Sequence, residues 1–383
     1  MQKPKTFVAK TLAGLEDLLV AELVEMGFSE VRPLTRGAEF VTDQRGMMKA
    51  NMASRFAIRI LEPIWEDRAR DPDDLYRVIK RMPWSRFLDN RSTFAVNATV
   101  RSDAFQHSHY AALRVKDAIV DQFREKTGKR PSIDTENPHL RIDVNIQGDL
   151  LRVSLDTSGD SLHRRGYRPA GAKAPLNEIL AAGMIALSGW TPDKPLYIPM
   201  CGSGTLVMEA AMMAAGLPSQ WFRTNYGFMN WHDFDKGLLM QVRQEIWNNR
   251  KPVVPVIYAS DIERQAIRQT NDSLARISWE HNITVQVADF FALAKPAEPG
   301  TLILNPPYGE RMQPENIDQL YRNIGRKLKD SFPGSTAWVI SSNYEAYKHL
   351  GFKPHAKHTL YNGQLECRYA GFSLYEGSVK DQA

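Results

Sequence analysis

The pattern of hydrophobic and polar positions changes near residue 176 and divides the chain into two parts. Before this point, stretches with alternating apolar residues are mixed with amphipathic helical stretches, which is typical of α+β domains. After it, short apolar runs of strand length alternate with stretches of helix length. Such alternation predicts a mostly parallel sheet with helices on both faces, so we expect an α/β fold for the second part.

The first 63 residues contain six predicted elements in the order β-α-β-β-α-β. The predicted strands are 7–10, 31–35, 38–41 and 56–60, and the predicted helices are 15–26 and 47–53. Gly27 closes the first helix, because glycine tolerates the left-handed conformation in which helices end. This order of elements predicts a ferredoxin-like unit over residues 1–63.

A second unit is predicted over residues 64–157. Its predicted helices are 73–80 and 110–126, and its predicted strands are 93–100, 141–146 and 151–155. The last two strands are joined by a turn at Gly148-Asp149. Basic side chains are frequent in this unit, and the pattern alone fits either a solvated face or a surface for a polyanion.

Residues 158–175 form a predicted connector that is rich in basic and aromatic side chains. Its candidate nucleic-acid contacts are Arg164, Arg165, Tyr167 and Arg168. Arginines can hold a phosphate backbone and a tyrosine can stack on a base, so contact with a nucleic acid is one interpretation. A hinge with solvated charges is the other.

The α/β part spans residues 176–383, and chemistry-bearing residues follow four of its strands. The predicted strands are 196–198, 256–259, 285–287, 301–304 and 337–341, the predicted helices are 176–188, 206–215, 263–276 and 317–332, and a hairpin pair covers 356–375. The successive strand ends carry Gly202 with Gly204, then Asp261, Asp289 and Asn305. A lone aspartate after a strand is often only a helix cap. The ordered series predicts a ligand site, because open α/β sheets bind ligands at the carboxyl ends of their strands.

The glycine-rich turn Gly202-Ser203-Gly204 follows a strand and precedes a helix, so a ligand can approach its backbone and the helix N-terminus. Val207 occupies the position where a dinucleotide fingerprint needs its third glycine, and a phosphate-binding Gly-Lys-Ser/Thr is absent. A nucleoside-like cofactor without a diphosphate remains. Asp261 is placed to bind ribose hydroxyls, and Asp289 to accept from an adenine amino group with Phe290 packed on the ring.

The tetrapeptide Asn-Pro-Pro-Tyr at 305–308 follows the apolar run 301–304, and its prolines end that strand because proline donates no ladder hydrogen bond. The Asn305 carboxamide oxygen and a nearby backbone carbonyl can both accept hydrogen bonds from an exocyclic base amine. Tyr308 can stack on the base.

Length and composition limit the classes of protein that fit these patterns. The 383 residues are enough for two or three domains, and 43% hydrophobic with 24% charged residues is typical of soluble globular proteins. The net charge of +5 is compatible with a polyanionic partner. With only Cys201 and Cys367, neither a disulfide framework nor a zinc cluster is predicted. No signal-peptide core or apolar run of transmembrane length is present, so we expect a cytoplasmic protein with no membrane partner.

Three stretches together carry a family resemblance. Pro-Met-Cys-Gly-Ser-Gly-Thr at 199–205 and Asn-Pro-Pro-Tyr-Gly-Glu-Arg at 305–311 resemble class I S-adenosylmethionine-dependent amino-methyltransferases. With Leu-His-Arg-Arg-Gly-Tyr-Arg at 162–168, the chain is similar to the bacterial THUMP-domain RNA guanine-N2 methyltransferases, including the N-terminal methyltransferase half of the 23S rRNA enzyme. The resemblance covers nearly the whole chain and implies a Rossmann-like class I methyltransferase domain behind ferredoxin-like and THUMP domains.

The resemblance also implies roles for individual residues. The implied S-adenosylmethionine contacts are Pro199, Cys201, Gly202, Gly204, Thr205, Asp261, Asp289 and Phe290. The implied groups around the target amine are Asn305, Pro306, Pro307 and Tyr308, and the implied RNA contacts are Arg164, Arg165, Tyr167, Arg168 and Arg311. Many relatives have an aspartate where this chain has Ile198, and Glu178 is a candidate to replace that acid in holding the cofactor's amino group.

The activity that this resemblance implies is direct in-line methyl transfer to N2 of a flipped guanine, without a metal. Among RNA substrates 23S rRNA is favoured, and a tRNA guanine is the alternative. Three other classes stay open: a DNA adenine methyltransferase, which shares the tetrapeptide; a non-catalytic RNA-binding protein, which Ile198 would suit; and a nicotinamide-dependent oxidoreductase, which Val207 disfavours. The sequence does not give the oligomeric state.

Overall fold

The computed structural model describes residues 3–105, 107–168, 176–277, 282–307 and 314–375. These residues fold into two compact units, and the chain passes between them more than once. The first unit comprises the described residues of Met1–Thr11, Val20–Arg164 and Arg223–Glu245, and the second those of Leu12–Leu19, Arg165–Phe222 and Ile246–Ala383.

The first unit is built on one eight-stranded sheet. Its strands are β1 (Lys5–Lys10), β2 (Ser29–Leu34), β3 (Gly37–Thr42), β4 (Arg59–Arg68), β5 (Thr93–Arg101), β6 (Ser132–Ile133), β7 (Leu140–Gln147) and β8 (Leu150–Asp156). The helices along this part of the chain are α1 (Glu16–Glu25), α2 (Gln44–Ala53), α3 (Pro72–Arg81) and α4 (Ser108–Thr127). The strand order is β2-β3-β1-β4-β8-β7-β5-β6, mostly antiparallel, with β5 parallel to both β6 and β7.

The β-α-β-β-α-β order at the start of the chain is confirmed, but its last strand differs from the prediction. The strand predicted at 56–60 begins only at Arg59 and continues to Arg68. On one side β4 pairs with β1, and on the other with β8. The predicted boundary between residues 63 and 64 therefore falls inside a strand, and the ferredoxin-like and THUMP parts share a single sheet.

A segment from the second half of the chain completes the first unit. The helix α7 (Lys236–Asn248) was not predicted, and residues 223–245 pack with the first unit although the predicted catalytic domain spans 176–383. Trp231 contacts the hydrophobic core around the buried Trp84. Arg45 forms an ion pair with Glu245 at 2.6 Å. The domain limits taken from the sequence stay predictions. They assign residues 223–245 to the catalytic domain, and so they do not account for this long-range packing.

The second unit contains a seven-stranded sheet of the predicted kind. Its strands are β9 (Leu196–Pro199), β10 (Val256–Asp261), β11 (Asn282–Val287), β12 (Thr301–Leu304), β13 (Thr336–Ser341), β14 (Ala356–Asn362) and β15 (Leu365–Ser373), and its helices are α5 (Glu178–Leu187), α6 (Thr205–Ala214), α8 (Arg264–Leu274) and α9 (Pro314–Ser331). The order is β11-β10-β9-β12-β13-β15-β14, parallel from β11 to β13, with β15 antiparallel to both of its neighbours. Leu302, Leu304 and Val339 are fully buried in its core. No helix among the residues described is long and apolar enough to cross a membrane.

Candidate active site

A cavity of about 880 Å³ lies at the carboxyl edge of the second sheet, where β9, β10 and β12 end. The predicted site residues that line it are Cys201, Gly202, Thr205, Asp261, Asp289, Phe290, Asn305, Pro306 and Pro307. The polarity of a parallel sheet explains this convergence, because every parallel strand ends at the same edge. Two further predicted cofactor contacts, Pro199 and Gly204, are not among the residues that line the cavity. Pro199 ends β9 beside a separate small cavity.

The loop between β9 and α6 is held in an unusual backbone conformation. Met200, Gly202 and Gly204 all have positive φ values, +60°, +54° and +79°. A Cβ on Gly204 would lie 2.6 Å from the Thr270 side chain, whereas a Cβ on Gly202 would meet no atom within 4 Å. Gly204 is therefore required for packing, and Gly202 keeps the cavity open to a ligand.

Asp261 connects this loop to the neighbouring strand. One carboxylate oxygen, Oδ2, accepts a hydrogen bond from the Gly202 backbone N–H at 2.8 Å, and Oδ1 accepts one from the Glu263 N–H at 2.9 Å. Each oxygen has a second lone pair. The carboxylate can thus hold the loop and still accept from a ribose hydroxyl, so ribose binding by Asp261 stays a prediction.

The next strand end, after β11, places an acid and two aromatic rings on the cavity wall. Asp289 Oδ1 accepts from the Phe291 backbone N–H at 3.0 Å and starts a short 3-10 helix. Phe290 is only 3% exposed and its ring stacks on Phe332. Phe291, which the sequence analysis missed, is 36% exposed and also lines the cavity, so it offers more ring surface than Phe290.

Asn305 follows β12 and lies on the cavity wall with Pro306 and Pro307. Within the described part of the chain, no hydrogen bond involves its side chain. Because β12 is the direct neighbour of β9, this amide ends next to the strand that carries the glycine loop. Tyr308 and Arg311, two further predicted site residues, lie outside the described residues.

Cys201 lines the cavity without being a usable nucleophile. Its thiol is buried, and burial followed by the charge of Asp261 raises its pKa to about 12. A thiol with this pKa stays protonated at neutral pH, and only the thiolate attacks carbon efficiently. The site therefore suits transfer to a substrate nucleophile better than chemistry through a covalent cysteine adduct.

Two of the predicted RNA contacts in the connector are interior residues. Arg165 has a fully buried side chain and pairs with the buried Glu209 at 3.5 Å. Tyr167 is 2% exposed and donates its hydroxyl hydrogen to Glu209 at 3.0 Å. Burial followed by the charge of Glu209 raises the Tyr167 pKa well above its usual value. This corrects the prediction for both residues, because neither side chain reaches a surface where RNA could bind.

The other two connector arginines differ from each other. Arg164 is 70% exposed and stays a candidate RNA contact. Arg168 forms an ion pair with Glu178 at 2.9 Å and donates a hydrogen bond to Thr205 Oγ1 at 3.0 Å. The Arg168 side chain thus links the connector to the first residue of α6, and this is a structural role.

Glu178 does not line the cavity, and the position before Pro199 is apolar. Ile198 is fully buried in the sheet. Burial raises the Glu178 pKa, and its carboxylate faces Arg168. The prediction that Glu178 replaces the missing aspartate therefore gains no support from its position.

Sequence reasoning missed Glu209 and the far wall of the cavity. Glu209 stands inside an otherwise apolar helix, and a buried acid in such a helix needs a partner, which was a signal that could have been used. The far wall is formed by Leu320, Asn362 and Leu365, from α9 and the β14–β15 hairpin. The sequence predicted the helix at 317–332 and the hairpin pair at 356–375, but not their place on the cavity wall.

These residues fit S-adenosylmethionine. The backbone N–H groups at the start of α6 have no intrahelical acceptors and suit the carboxylate of its methionyl end. Asp261 suits the ribose hydroxyls, and the exposed faces of Phe291 and Ile262 suit an adenine ring. No cluster of side chains that could hold a metal ion occurs in the portion of the chain described above.

The fold and this cavity define an S-adenosylmethionine-dependent methyltransferase with a Rossmann-like class I domain. Family models agree along the chain: a ferredoxin-like domain of the RlmL type matches residues 6–61, a THUMP domain 69–156, and an RMKL-like methyltransferase domain 165–371. The chain belongs to the RMKL-like methyltransferase family.

Individual relatives support the same assignment. A putative RNA methyltransferase of Synechocystis is 36% identical over 97% of both chains. The ribosomal RNA large subunit methyltransferase K/L of Syntrophotalea carbinolica is 39% identical over 98% of this chain but only 54% of its own length, so the chain spans about half of that relative. Among solved structures, a putative methyltransferase complexed with S-adenosylhomocysteine is 26% identical and superimposes with a TM-score of 0.87, covering 99% of this chain and 100% of the other.

Proposed function

We propose that this chain transfers a methyl group from S-adenosylmethionine to the exocyclic N2 amine of a guanine in RNA, with 23S rRNA as the favoured substrate. The observation that carries the proposal is the position of Asn305, at the end of the strand next to the glycine loop and on the wall of the same cavity. The THUMP domain match and the RNA methyltransferase names of the relatives support RNA as the substrate.

The residues of the cavity suit transfer to an amine. When bound, the cofactor supplies an electrophilic methyl group on a sulfonium. Asn305 Oδ1 and the Pro306 carbonyl can accept hydrogen bonds from the two N2 hydrogens, which orients the amine and draws its lone pair out of conjugation with the ring. N2 gains its bond to the methyl carbon as the carbon–sulfur bond breaks, and it then releases one of its two protons to water. Positioning of this kind can supply roughly 7–11 kcal/mol of a barrier. The base must leave its helix to reach such a site, and stacking of the flipped base on Tyr308 belongs to this proposal.

The test is methyl transfer from labelled S-adenosylmethionine to separated 23S rRNA, 16S rRNA, tRNA and unmethylated DNA from a strain that lacks the protein. Nucleoside analysis of each product identifies the methylated position. We expect N2-methylguanosine in 23S rRNA, lost with Asn305→Ala while S-adenosylhomocysteine binding stays within about twofold. N2-methylguanosine in tRNA alone would move the substrate to the alternative, and N6-methyladenine in DNA would contradict the proposal.

A further inference from the structure

The cavity extends beyond the residues that a cofactor needs. Along the sheet edge, the strands that bear Asp289, Asp261 and Gly202 come first, then the strand that bears Asn305, and then β13, β15 and β14. Asn362 and Leu365, at the end of β14 and the start of β15, also line the cavity. The strand order places β14 and β15 beyond the Asn305 strand from the strands that bear the cofactor residues. Neighbouring strands are about 4.8 Å apart, so β15 runs roughly 10 Å from β12.

The position of the hairpin matters because methyl transfer to an amine proceeds in line. The attacking nitrogen must lie on the line of the breaking sulfur–carbon bond, so the ring that carries the nitrogen extends away from the cofactor. With N2 held at Asn305, the ring extends toward the hairpin. The cavity wall that the hairpin forms is therefore where the faces and the far edge of a target base would contact the protein.

The geometry of the hairpin presents two different side chains to that space. Asn362 and Leu365 are directly opposite each other in the β14–β15 ladder, joined by the two-residue turn Gly363-Gln364, in which Gly363 has a φ of +66°. Side chains directly opposite project from the same face of a sheet, with Cβ atoms about 5 Å apart. An amide and an aliphatic group thus stand side by side, and Leu365 is 50% exposed.

Two hydrogen bonds and a cation–π contact hold the end of the hairpin in place. Tyr344 and Tyr361 both donate hydroxyl hydrogens to the carboxylate of Glu366, at 2.7 and 2.9 Å. The Arg368 guanidinium lies 4.4 Å from the centre of the Tyr344 ring. Because Glu366 follows Leu365 directly, this cluster fixes the backbone that carries the cavity wall, and a fixed wall costs less to order when a ligand binds.

We infer that Asn362 and Leu365 form the target-base wall of the cavity: Leu365 packs on a face of the guanine, and the Asn362 amide hydrogen-bonds to its O6 and N1 edge. The amide offers both a donor and an acceptor, which match the O6 acceptor and the N1–H donor of guanine. This inference rests on the proposed function, since it takes N2 as the atom held at Asn305.

The test combines protein variants with a base analogue. A synthetic RNA fragment that spans the mapped guanine is made with guanine or with 2-aminopurine at that position, because 2-aminopurine keeps the N2 amine but lacks O6 and the N1 hydrogen. We expect the wild-type chain to prefer guanine by about tenfold in kcat/KM, as one such base contact allows, and Asn362→Ala to lose most of that preference. Leu365→Ala should lower kcat/KM for both bases equally.

Matched controls are Asn282→Ala, exposed at the amino end of β11, and Leu34→Ala, exposed in the first unit, and both should leave all values unchanged. All variants should bind S-adenosylhomocysteine like the wild type. A guanine preference that survives Asn362→Ala would overturn the role of this residue while leaving N2 methylation intact. No N2 methylation of any guanine by the wild-type chain would overturn both the proposed function and the inference.

Discussion

Tyr167 donates its hydroxyl hydrogen to Glu209 across 3.0 Å in the interior of the second unit. The same carboxylate faces the buried Arg165. The connector that looked like an RNA-binding segment is thus anchored by a buried polar cluster against α6, the helix that begins at the cofactor loop.

This anchoring predicts a loss of stability rather than of RNA affinity. Tyr167→Phe should lower the free energy of unfolding by about 1–3 kcal/mol, because the buried Glu209 oxygen loses a partner. Arg165→Ala should cost roughly 3–5 kcal/mol, since it leaves a buried carboxylate without its cation. Chemical denaturation measures both, and Arg164→Ala, 70% exposed, is the control that should leave stability unchanged. Equal stability of Tyr167→Phe and wild type would show that the bond contributes nothing.

The two glycines of the cofactor loop should respond differently to alanine. Gly204→Ala combines a left-handed backbone with a 2.6 Å approach to Thr270, and we expect it to lower the free energy of unfolding by about 2–4 kcal/mol. Gly202→Ala has open space at its Cβ and should cost only about 1 kcal/mol. Its methyl group points into the cavity region, so cofactor affinity should fall more than stability. Thermal unfolding and titration with S-adenosylhomocysteine separate the two effects, and the reverse order of stabilities would contradict the packing argument.

The carboxylate of Asp261 braces two backbone N–H groups, and an amide cannot accept from both. Asp261→Asn leaves one N–H facing an NH₂ group, so the loop should loosen and S-adenosylhomocysteine affinity should fall about tenfold, one hydrogen bond to a charged group being worth roughly 1.5–3 kcal/mol. Asp71→Asn is the matched control, because Asp71 caps α3 through a single acceptor and asparagine caps helices equally well. Unchanged affinity in Asp261→Asn would mean that the brace is dispensable.

The Cys201 thiol predicts a defined pH dependence. Its pKa rises from 9.0 to about 12 on folding, so the stability linked to it is fully present below pH 9 and is lost as the pH rises toward 12. Between these limits the group lowers the free energy of unfolding by up to about 1.4 kcal/mol per pH unit. Cys201→Ala should make the alkaline part of the stability curve less steep and should retain methyl transfer. Loss of transfer with intact cofactor binding would instead indicate a chemical role for the thiol.

The sequence was informative where chemistry follows the order of elements. Asp261, Asp289 and Asn305 could be placed together because the strand ends of a parallel sheet share one edge, whatever the details of packing. The burial of Tyr167 could not be foreseen in this way. Its partner Glu209 lies 42 residues further along the chain, and only the folded backbone brings the two together. The same holds for Asn362 and Leu365, whose cavity position depends on three intervening strand pairings.

The interleaving of the two units has a consequence for how the chain must fold during synthesis. The first unit needs residues 223–245, which emerge from the ribosome after α6 of the second unit, and the second unit includes residues 12–19, which emerge near the start. Neither unit can therefore be completed before part of the other has been synthesised. No single cut in the polypeptide yields two intact units. An N-terminal fragment that ends at the connector would lack Trp231, and should expose part of the core around Trp84.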